Sequence, residues 1–453
     1  MFWLPRCCKA IFVLTDFQDR LLRDDFFGAL KVARKASELC PGFYLAWVFR
    51  AAAASDVVLH ANVKEDEVQA YVSEALESID TAIRLKPNAF RAYLVKARIL
   101  MDHGFYEDAL KALEEAEHRL DNWYIGEVLA RKSIVKFRLG MIDEALRDME
   151  AYDSEIGLSG LAEKLSQEVS GDALVNAGIS HGYAYMRLSD KAVEYAEKAT
   201  DEKITGSTLV IRAFAYSVGE KYELAVRDLA GLEACGALDE HSLLVLTWAN
   251  LELERYQKAV AYADKALAVN PYNPHINMDR CRAIDKLHGD EMGTKCREKW
   301  VNMYLEKGMR NNMAAMDAVI VAIRYENVGE YEKAEEYYRI AMKLAKYPYG
   351  EGYFSYADLL EELGRREEAI KYYKLAVKYS ARTDAIGSSA IGLERLGEDL
   401  EAIKAYILSL IETPDVLTSS TLIRIVHEKN IKKLMKKLRK KGITCKNIIN
   451  ELE

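Results

Sequence analysis

A period of about 34 residues runs through most of this chain and restricts its fold more than any other feature. Small residues that follow a turn-like stretch recur at Ala29, Ala75, Ala109, Ala145, Ala192, Ala225, Ala259, Ala334, Ala369 and Ala402. The steps from 75 to 109, 192 to 225, 225 to 259, 334 to 369 and 369 to 402 all stay within one position of this period. A repeat of this length is typical of helix–turn–helix units stacked side by side.

The prolines lie in phase with this period. We call the ten recurring alanines the anchor alanines. Four prolines each lie 12 residues after one of them: Pro41, Pro87, Pro271 and Pro414. Proline lacks a backbone N–H and clashes with the preceding helical turn, so each of these prolines predicts the end of a helix. Two longer steps, from 29 to 75 and from 145 to 192, predict insertions near residues 55–66 and 157–171.

Within each period the apolar residues are spaced as on two helices. Between residues 90 and 121, Tyr93, Ala97 and Leu100 share one helical face, and Ala109 and Leu113 share another. Only 7 of the 453 residues are proline and 30% are charged, a composition that suits helices better than loops or disorder. The sequence therefore predicts an all-α fold.

The residues at these positions resemble the tetratricopeptide repeat. In the segment that starts at residue 315, the matching small, aromatic and glycine positions are Ala322, Tyr325, Gly329, Tyr331, Ala334, Tyr338 and Ala341. The resemblance implies a right-handed α–α superhelix of about ten to eleven helix–turn–helix repeats, whose concave groove binds peptides or helices of other proteins. It places the repeats at residues 16–415, after an apolar segment at 1–15 that could form a cap and before basic capping or tail helices at 416–453.

Partner-binding residues are expected on the groove side of each first helix, where the repeat pattern leaves the sequence free. Counting from the start of each copy gives the candidate groove residues Arg98, Arg131, Phe214, Trp248, Arg280, Ile323 and Phe354. The apolar members predict a floor for the apolar face of a partner helix, and charged side chains at its ends would set direction. The alternative is that these side chains pack against neighbouring first helices, or against a chain segment folded back into the groove.

The composition changes after Pro414. Residues 429–441, KNIKKLMKKLRKK, hold eight basic residues, among them Lys432, Lys433, Lys436, Lys437, Arg439 and Lys440. A basic amphipathic helix of this kind could bind nucleic-acid phosphates or an anionic membrane. The favoured interpretation is a terminal cap, in which the apolar stripe covers the last repeat and the lysines face water.

Nothing in the sequence predicts catalysis, a metal or a cofactor. The nucleotide-binding, zinc-protease and serine-nucleophile motifs are missing, and the eight histidines are not spaced as metal ligands. A protein partner is therefore expected. Nucleic acid is disfavoured because the formal net charge is -8, and self-association through exposed end repeats stays open.

The seven cysteines are odd in number and contain no C-x-x-C pair. They predict mostly buried, reduced thiols in a cytoplasmic protein. No apolar run reaches the roughly 20 residues that a membrane-spanning helix needs, so no membrane span is expected.

Overall fold

The computed structural model describes residues 6–21, 23–61, 63–120, 124–155, 159–380 and 383–411, together with residues 430, 431, 433, 434, 436, 437 and 440. These residues form helices and their connecting turns, and none of them lies in a strand. The predicted all-α fold class is therefore confirmed.

Twenty-three helices make up most of the described chain. In chain order they are α1 (Arg6–Leu21), α2 (Phe26–Leu39), α3 (Tyr44–His60), α4 (Glu65–Leu85), α5 (Phe90–Asp102), α6 (Tyr106–Glu117), α7 (Ile125–Arg138), α8 (Ile142–Glu155), α9 (Leu161–Glu168), α10 (Gly171–Tyr185), α11 (Ser189–Glu202), α12 (Gly206–Val218), α13 (Tyr222–Ala234), α14 (Glu240–Glu252), α15 (Tyr256–Val269), α16 (Pro274–His288), α17 (Asp290–Glu306), α18 (Asn312–Asn327), α19 (Tyr331–Leu344), α20 (Gly350–Glu362), α21 (Arg366–Tyr379), α22 (Thr383–Arg395) and α23 (Asp399–Ile411).

Consecutive helices pair into hairpins. The pairs are α1 with α2, α3 with α4, α5 with α6, α7 with α8, α10 with α11, α12 with α13, α14 with α15, α16 with α17, α18 with α19, α20 with α21 and α22 with α23. These eleven hairpins of the described chain agree with the predicted ten to eleven repeats. The short helix α9 lies outside this pairing, between two hairpins.

The hairpins divide between two compact units. One unit comprises Leu120–Tyr347, and the other combines Met1–Arg119 with Pro348–Glu453. Within the second unit, α1 lies against α23, so the N-terminal helix packs on the last hairpin. The boundary predicted at residue 16 falls inside α1, whose Ala10, Leu14 and Phe17 are buried.

All ten anchor alanines are fully buried. Ala109 on α6 and Ala334 on α19 are examples, and both have no exposed surface. A methyl side chain lets helices approach closely where they cross, and a larger one would hold them apart. The period read from the sequence therefore marks the helix crossings.

A tyrosine four residues after the anchor makes the same hydrogen bond in three of the hairpins. Its hydroxyl donates to a glutamate on the first helix, in the pairs Tyr338 with Glu326 at 2.9 Å, Tyr373 with Glu361 at 2.7 Å and Tyr406 with Glu394 at 3.0 Å. The tyrosine rings are buried, so the carboxylate satisfies a hydroxyl that would otherwise lose its hydrogen bond to water. Each bond joins the two helices of one hairpin.

The two segments predicted as insertions differ in structure. Residues 55–66 mainly lengthen the second hairpin, since α3 continues to His60 and α4 begins at Glu65. In the segment 157–171, the additional helix α9 spans Leu161–Glu168.

Cys281 of α16 and Cys296 of α17 form a disulfide, so the prediction of reduced thiols was wrong for these two residues. It was also wrong for Cys40, which is disulfide-bonded. The Cα atoms of Cys281 and Cys296 lie 5.5 Å apart across the hairpin. The separation of 15 residues gives no signal in the sequence, because the pairing depends on which helix faces meet. Cys235 is a free and exposed thiol.

Gly350 lies at the start of α20, in close contact with the end of α21. A Cβ on this residue would lie 2.2 Å from the Ser380 nitrogen and 2.3 Å from its Cα. Because backbone atoms cannot rotate away, Gly350→Ala is expected to lower the free energy of unfolding by about 1–3 kcal/mol, measured by urea denaturation.

The matched control for this substitution is Gly231→Ala. Gly231 lies inside α13, and a Cβ there would meet no atom within 4 Å. Alanine loses less backbone entropy than glycine on folding, so this variant is expected to gain about 0.5–1 kcal/mol. Equal stability of Gly350→Ala and the wild type would contradict the close contact.

Candidate functional site

A row of side chains follows the first helices of the unit Leu120–Tyr347. Phe214 of α12 and Trp248 of α14 are one repeat period apart, and His181 of α10 precedes Phe214 by nearly the same spacing. The ring centroids of His181 and Phe214 lie 5.5 Å apart, and those of Phe214 and Trp248 lie 6.3 Å apart. The structure therefore brings two predicted groove residues together and adds a histidine beside them.

Arg282 of α16 continues this row, and the candidate Arg280 does not. The step from Trp248 to Arg282 is again one repeat period, and Arg282 bonds Glu252 at the end of α14 at 3.1 Å. Arg280 instead pairs with Asp264 of α15, the preceding second helix, at 2.6 Å. Arg280 lies two residues before the position that this spacing reaches, and the α16–α17 turn has Gly289 but no aromatic residue to fix the register.

Ile323 occupies the same register on α18. It lies eight residues before Tyr331, the first residue of the second helix, as Phe214 precedes Tyr222. Its side chain is 38% exposed, so it is accessible to a partner. We call His181, Phe214, Trp248, Arg282 and Ile323 the inner row.

The remaining candidate groove residues have partners within the chain. Arg98 pairs with Asp56 at 3.7 Å, and Arg131 pairs with Glu127 one helical turn away at 2.7 Å. Phe354 lies in the other unit, half-buried, with its ring 6.2 Å from that of Tyr373. Of the four apolar side chains expected to form the floor, only Phe214 and Trp248 are seen in contact with each other among the described residues.

The helix α9 covers one end of the inner row. It lies against α8, α10 and α12, and its Leu161, Ala162 and Leu165 are buried. A small cavity beneath it is lined by Leu161 of α9, His181 of α10, Val210, Ile211 and Phe214 of α12, and His241, Leu244 and Val245 of α14. A segment of the chain itself, α9, thus packs over His181 and Phe214, which is the kind of contact that the alternative interpretation describes.

Polar contacts fix α9 to the start of two first helices. Lys164 bonds Asp239, the residue that caps α14, at 2.6 Å. Glu168 accepts a hydrogen bond from the Ser207 backbone N–H, at the start of α12, at 2.9 Å. Burial alone would raise the pKa of Asp239, but hydrogen bonds from Lys164 and Ser242 bring it below the ordinary value.

A buried polar cluster lies beneath α9. The His181 ring donates from Nε2 to Oδ1 of Asp153 at 2.8 Å, and both side chains are almost completely buried. Burial lowers the pKa of the nearby His241, so this imidazole is neutral near pH 7. Within the described chain, Nδ1 of His181, Oδ2 of Asp153 and Nε2 of His241 have no hydrogen-bond partner.

The other end of the inner row is more open and carries charge. Trp248 is half-buried, and the Arg187 guanidinium lies 5.1 Å from its ring centroid. Arg282, which is exposed, bonds Asp279 at 2.9 Å. Burial raises the pKa of Asp279 to about 6 despite this contact. The row thus runs from a covered aromatic and histidine end to an open end with an indole, two arginines and Ile323.

The described residues of the basic tail pack on the last hairpin. Ile431 and Leu434 are buried, and Asn430 donates to the Tyr406 hydroxyl at 3.0 Å. Two predicted tail lysines have partners on that hairpin, Lys433 with Glu394 at 2.8 Å and Lys437 with Asp399 at 2.7 Å. Lys436 and Lys440 are exposed, and Lys432 and Arg439 lie outside the described residues. These contacts favour a cap.

Across the described residues, no helix has both the length and the apolar character needed to span a bilayer. Nor do the described histidine, cysteine, aspartate and glutamate side chains form a group of three that could hold a metal ion.

Sequence models of the tetratricopeptide repeat match two parts of the chain, residues 72–122 and residues 350–383. The first match includes α5 and α6, and the second includes α20 and α21. The chain therefore contains tetratricopeptide repeats in these two parts, as the resemblance predicted. This fold is, in general, a scaffold for binding other proteins.

Several solved structures are similar to this chain at low sequence identity. The crystal structure of yeast Tom70 is 15% identical and has a TM-score of 0.47, with 95% of this chain and 96% of that chain covered. The TPR domain of P58(IPK) is 15% identical and has a TM-score of 0.29, with 95% and 99% covered. A chain of the APC/C hetero-tetramer Cut9–Hcn1 is 12% identical and has a TM-score of 0.35, with 92% of each covered. Among curated proteins, no sequence matches this chain.

Proposed function

We propose that this protein is a non-catalytic, cytoplasmic scaffold that binds a peptide or amphipathic helix of a partner protein along the inner row. The observation that carries this proposal is the open end of the row, formed by Trp248, Arg282 and Ile323. Tryptophan and arginine are among the residue types that dominate binding energy at protein interfaces, and an exposed aliphatic side chain adds apolar surface for a partner to bury.

Charge at this end supports recognition of a helix with both apolar and charged residues. Arg187 lies beside Trp248, and Arg282 lies beside Glu252. Basic and acidic groups therefore flank an apolar surface. Apolar contacts would supply affinity, and the flanking charges would select the direction of the bound helix. A partner of this kind buries Ile323 and completes the cover over Trp248.

Binding of nucleic acid or an anionic membrane through residues 429–441 is the weaker alternative. Lys433 and Lys437 are paired with carboxylates of the last hairpin, and the apolar stripe of the tail helix is partly used for packing. Phosphate binding would have to compete with these contacts. The exposed Lys436 and Lys440 are the described tail residues at which to test it.

The test of the proposed function is photo-crosslinking from position 323 of the full chain in extract of the source cells. We expect a protein segment with helical apolar spacing to be crosslinked and identified by mass spectrometry. Ile323→Asp should reduce capture of that partner at least about tenfold, because a charge would be buried at the contact.

Val328→Asp is the matched control. Val328 is 70% exposed in the turn that follows the same helix, outside the inner row, and its substitution should leave capture unchanged. Loss of capture with Lys436→Glu and Lys440→Glu, or with nuclease treatment, would instead favour the tail. If Ile323→Asp and Val328→Asp changed partner capture equally, the inner row would be refuted as the binding site.

A further inference from the structure

The surface beneath α9 is itself built to hold a helix. We propose that α9 is an exchangeable occupant of this surface, and that the partner's binding segment is a helix with the same side-chain pattern. This inference rests on the proposed function and specifies the partner: apolar residues where α9 has Leu161 and Leu165, a basic residue at the place of Lys164, and an acidic one at the place of Glu168.

The way α9 is bound supports exchange. It does not pair into a hairpin but lies against the first helices α10 and α12, with Lys164 reaching α14. Its contacts are those of a bound amphipathic helix: one buried apolar side and two side-chain polar links, from Lys164 and Glu168. The backbone at its two ends adds hydrogen bonds, from Lys203 to the Glu168 carbonyl and from the Gly160 N–H to Glu150. Gly160 and Gly171 border it with φ of +82° and +62°, so the chain turns at both ends of the segment.

Charge complementarity defines the direction of the occupant. The acidic Glu168 lies at the N-terminus of α12, where backbone N–H groups and the helix dipole favour a negative charge. The basic Lys164 lies on Asp239, at the N-cap of α14. A helix bound in the reverse direction would exchange these two charges and lose both contacts.

Some hydrogen-bonding groups of the polar cluster beneath α9 stay unsatisfied while α9 is bound. His181 and His241 line the cavity with Leu161, and their Nδ1 and Nε2 atoms have no hydrogen-bond partner among the described residues. Leucine cannot satisfy these groups, and unsatisfied buried polar atoms are unfavourable. The contacts of α9 with this cluster are therefore incomplete, which favours its exchange for another helix.

The covered and open parts of the inner row are continuous. Phe214 lines the cavity beneath α9, and its ring also contacts Trp248. A partner helix longer than α9 can therefore displace α9 and extend over Trp248. Ile323 then binds the far end of the partner.

The test uses a fluorescent peptide of residues 159–171 and the full-length chain. The release variant carries Lys164→Glu and Glu168→Lys, which reverse both polar links of α9 without changing net charge. We expect the peptide to bind this variant at least about tenfold more tightly than the wild type, because α9 occupies the site in most wild-type molecules. A peptide with Leu161→Ser and Leu165→Ser should not bind either protein.

The matched control exchanges Glu194 and Lys198, a surface pair on α11, by Glu194→Lys and Lys198→Glu. It should bind the peptide as weakly as the wild type. The inference would be overturned if the release variant bound the peptide as weakly as the wild type does while its far-ultraviolet circular dichroism spectrum was unchanged. If Ile323→Asp still reduced partner capture in that case, the proposed function would stand and only the exchange of α9 would fail.

Hydrogen exchange on the wild type gives a second readout that needs no variant. The amides of α9 are expected to exchange at least about tenfold faster than those of α12, since α9 opens without unfolding the hairpins. Protection of α9 equal to that of α12 would show a permanent helix and overturn the inference.

Discussion

Arg297→Met is expected to lower the free energy of unfolding by about 3–5 kcal/mol at pH 8, because it leaves a carboxylate buried without its cation. Arg297 of α17 is almost completely buried and bonds Asp285 at 2.7 Å and Asp317 at 3.2 Å. Asp317 is fully buried and also accepts a hydrogen bond from the Trp300 indole at 2.9 Å. Urea denaturation of the purified variant measures the loss.

The effect of Arg297→Met should depend on pH in a defined direction. Burial raises the pKa of Asp317 to about 6, although Arg297 and Trp300 oppose the shift. Between about pH 4 and 6 the Asp317 carboxyl therefore keeps its proton in the folded state. In the unfolded state, where its pKa is near 3.9, the proton is released. Stability from this group falls as pH rises through that window. Without Arg297 the pKa rises further, so the variant should lose less stability at pH 5 than at pH 8.

Arg255→Met is the control for this prediction. Arg255 pairs with Glu223 at 2.6 Å, but both side chains are well exposed. Exposed pairs contribute little, so the control should lose at most about 1 kcal/mol and show no comparable pH dependence. Similar losses in the two variants would mean that water reaches Asp317 in the folded protein.

The repeat architecture could be predicted from the sequence because its signal is local and recurs. Each anchor alanine marks a place where only a small side chain fits, and all ten proved to be buried. Errors in assigning one copy do not accumulate, because the next glycine and aromatic residue restore the register. This is why the all-α hairpin fold followed from spacing alone.

The register failed where that local signal is missing. Between α16 and α17 the chain has Gly289 but no aromatic residue at the start of the second helix, and α16 extends to His288. The prediction therefore chose Arg280, whereas spacing from Trp248 reaches Arg282. Counting one repeat period along the row, rather than from each assigned start, leads to the residue that contacts the end of α14.

Contacts between distant segments could not be predicted. The long step before Ala192 indicated an insertion, but nothing local shows that α9 lies against α8, α10 and α12. The Cys281–Cys296 disulfide is hidden for the same reason. His181 was not predicted, although its spacing of nearly one repeat period from Phe214 is visible in the sequence.

The second large effect is expected at the buried pair beneath α9. His181→Phe keeps an aromatic ring against Phe214 but removes the N–H that Asp153 accepts. Because Asp153 has no exposed surface, its carboxylate would then be buried without a donor, at a cost of about 3–5 kcal/mol. The measurement is urea denaturation at pH 8, where the neighbouring His241 is neutral and offers the Asp153 carboxylate no positive charge.

Adding Asp153→Ala to His181→Phe should restore stability. Once the carboxylate is removed, no buried charge lacks a partner, so the double variant is expected to be more stable than His181→Phe by at least about 1 kcal/mol. Asp153→Ala alone should cost less than His181→Phe, about 1–3 kcal/mol, since it leaves an imidazole N–H rather than a charge unpaired. Additive losses would contradict this coupling, and would mean that the surface beneath α9 is wetter and less selective for its occupant than its burial indicates.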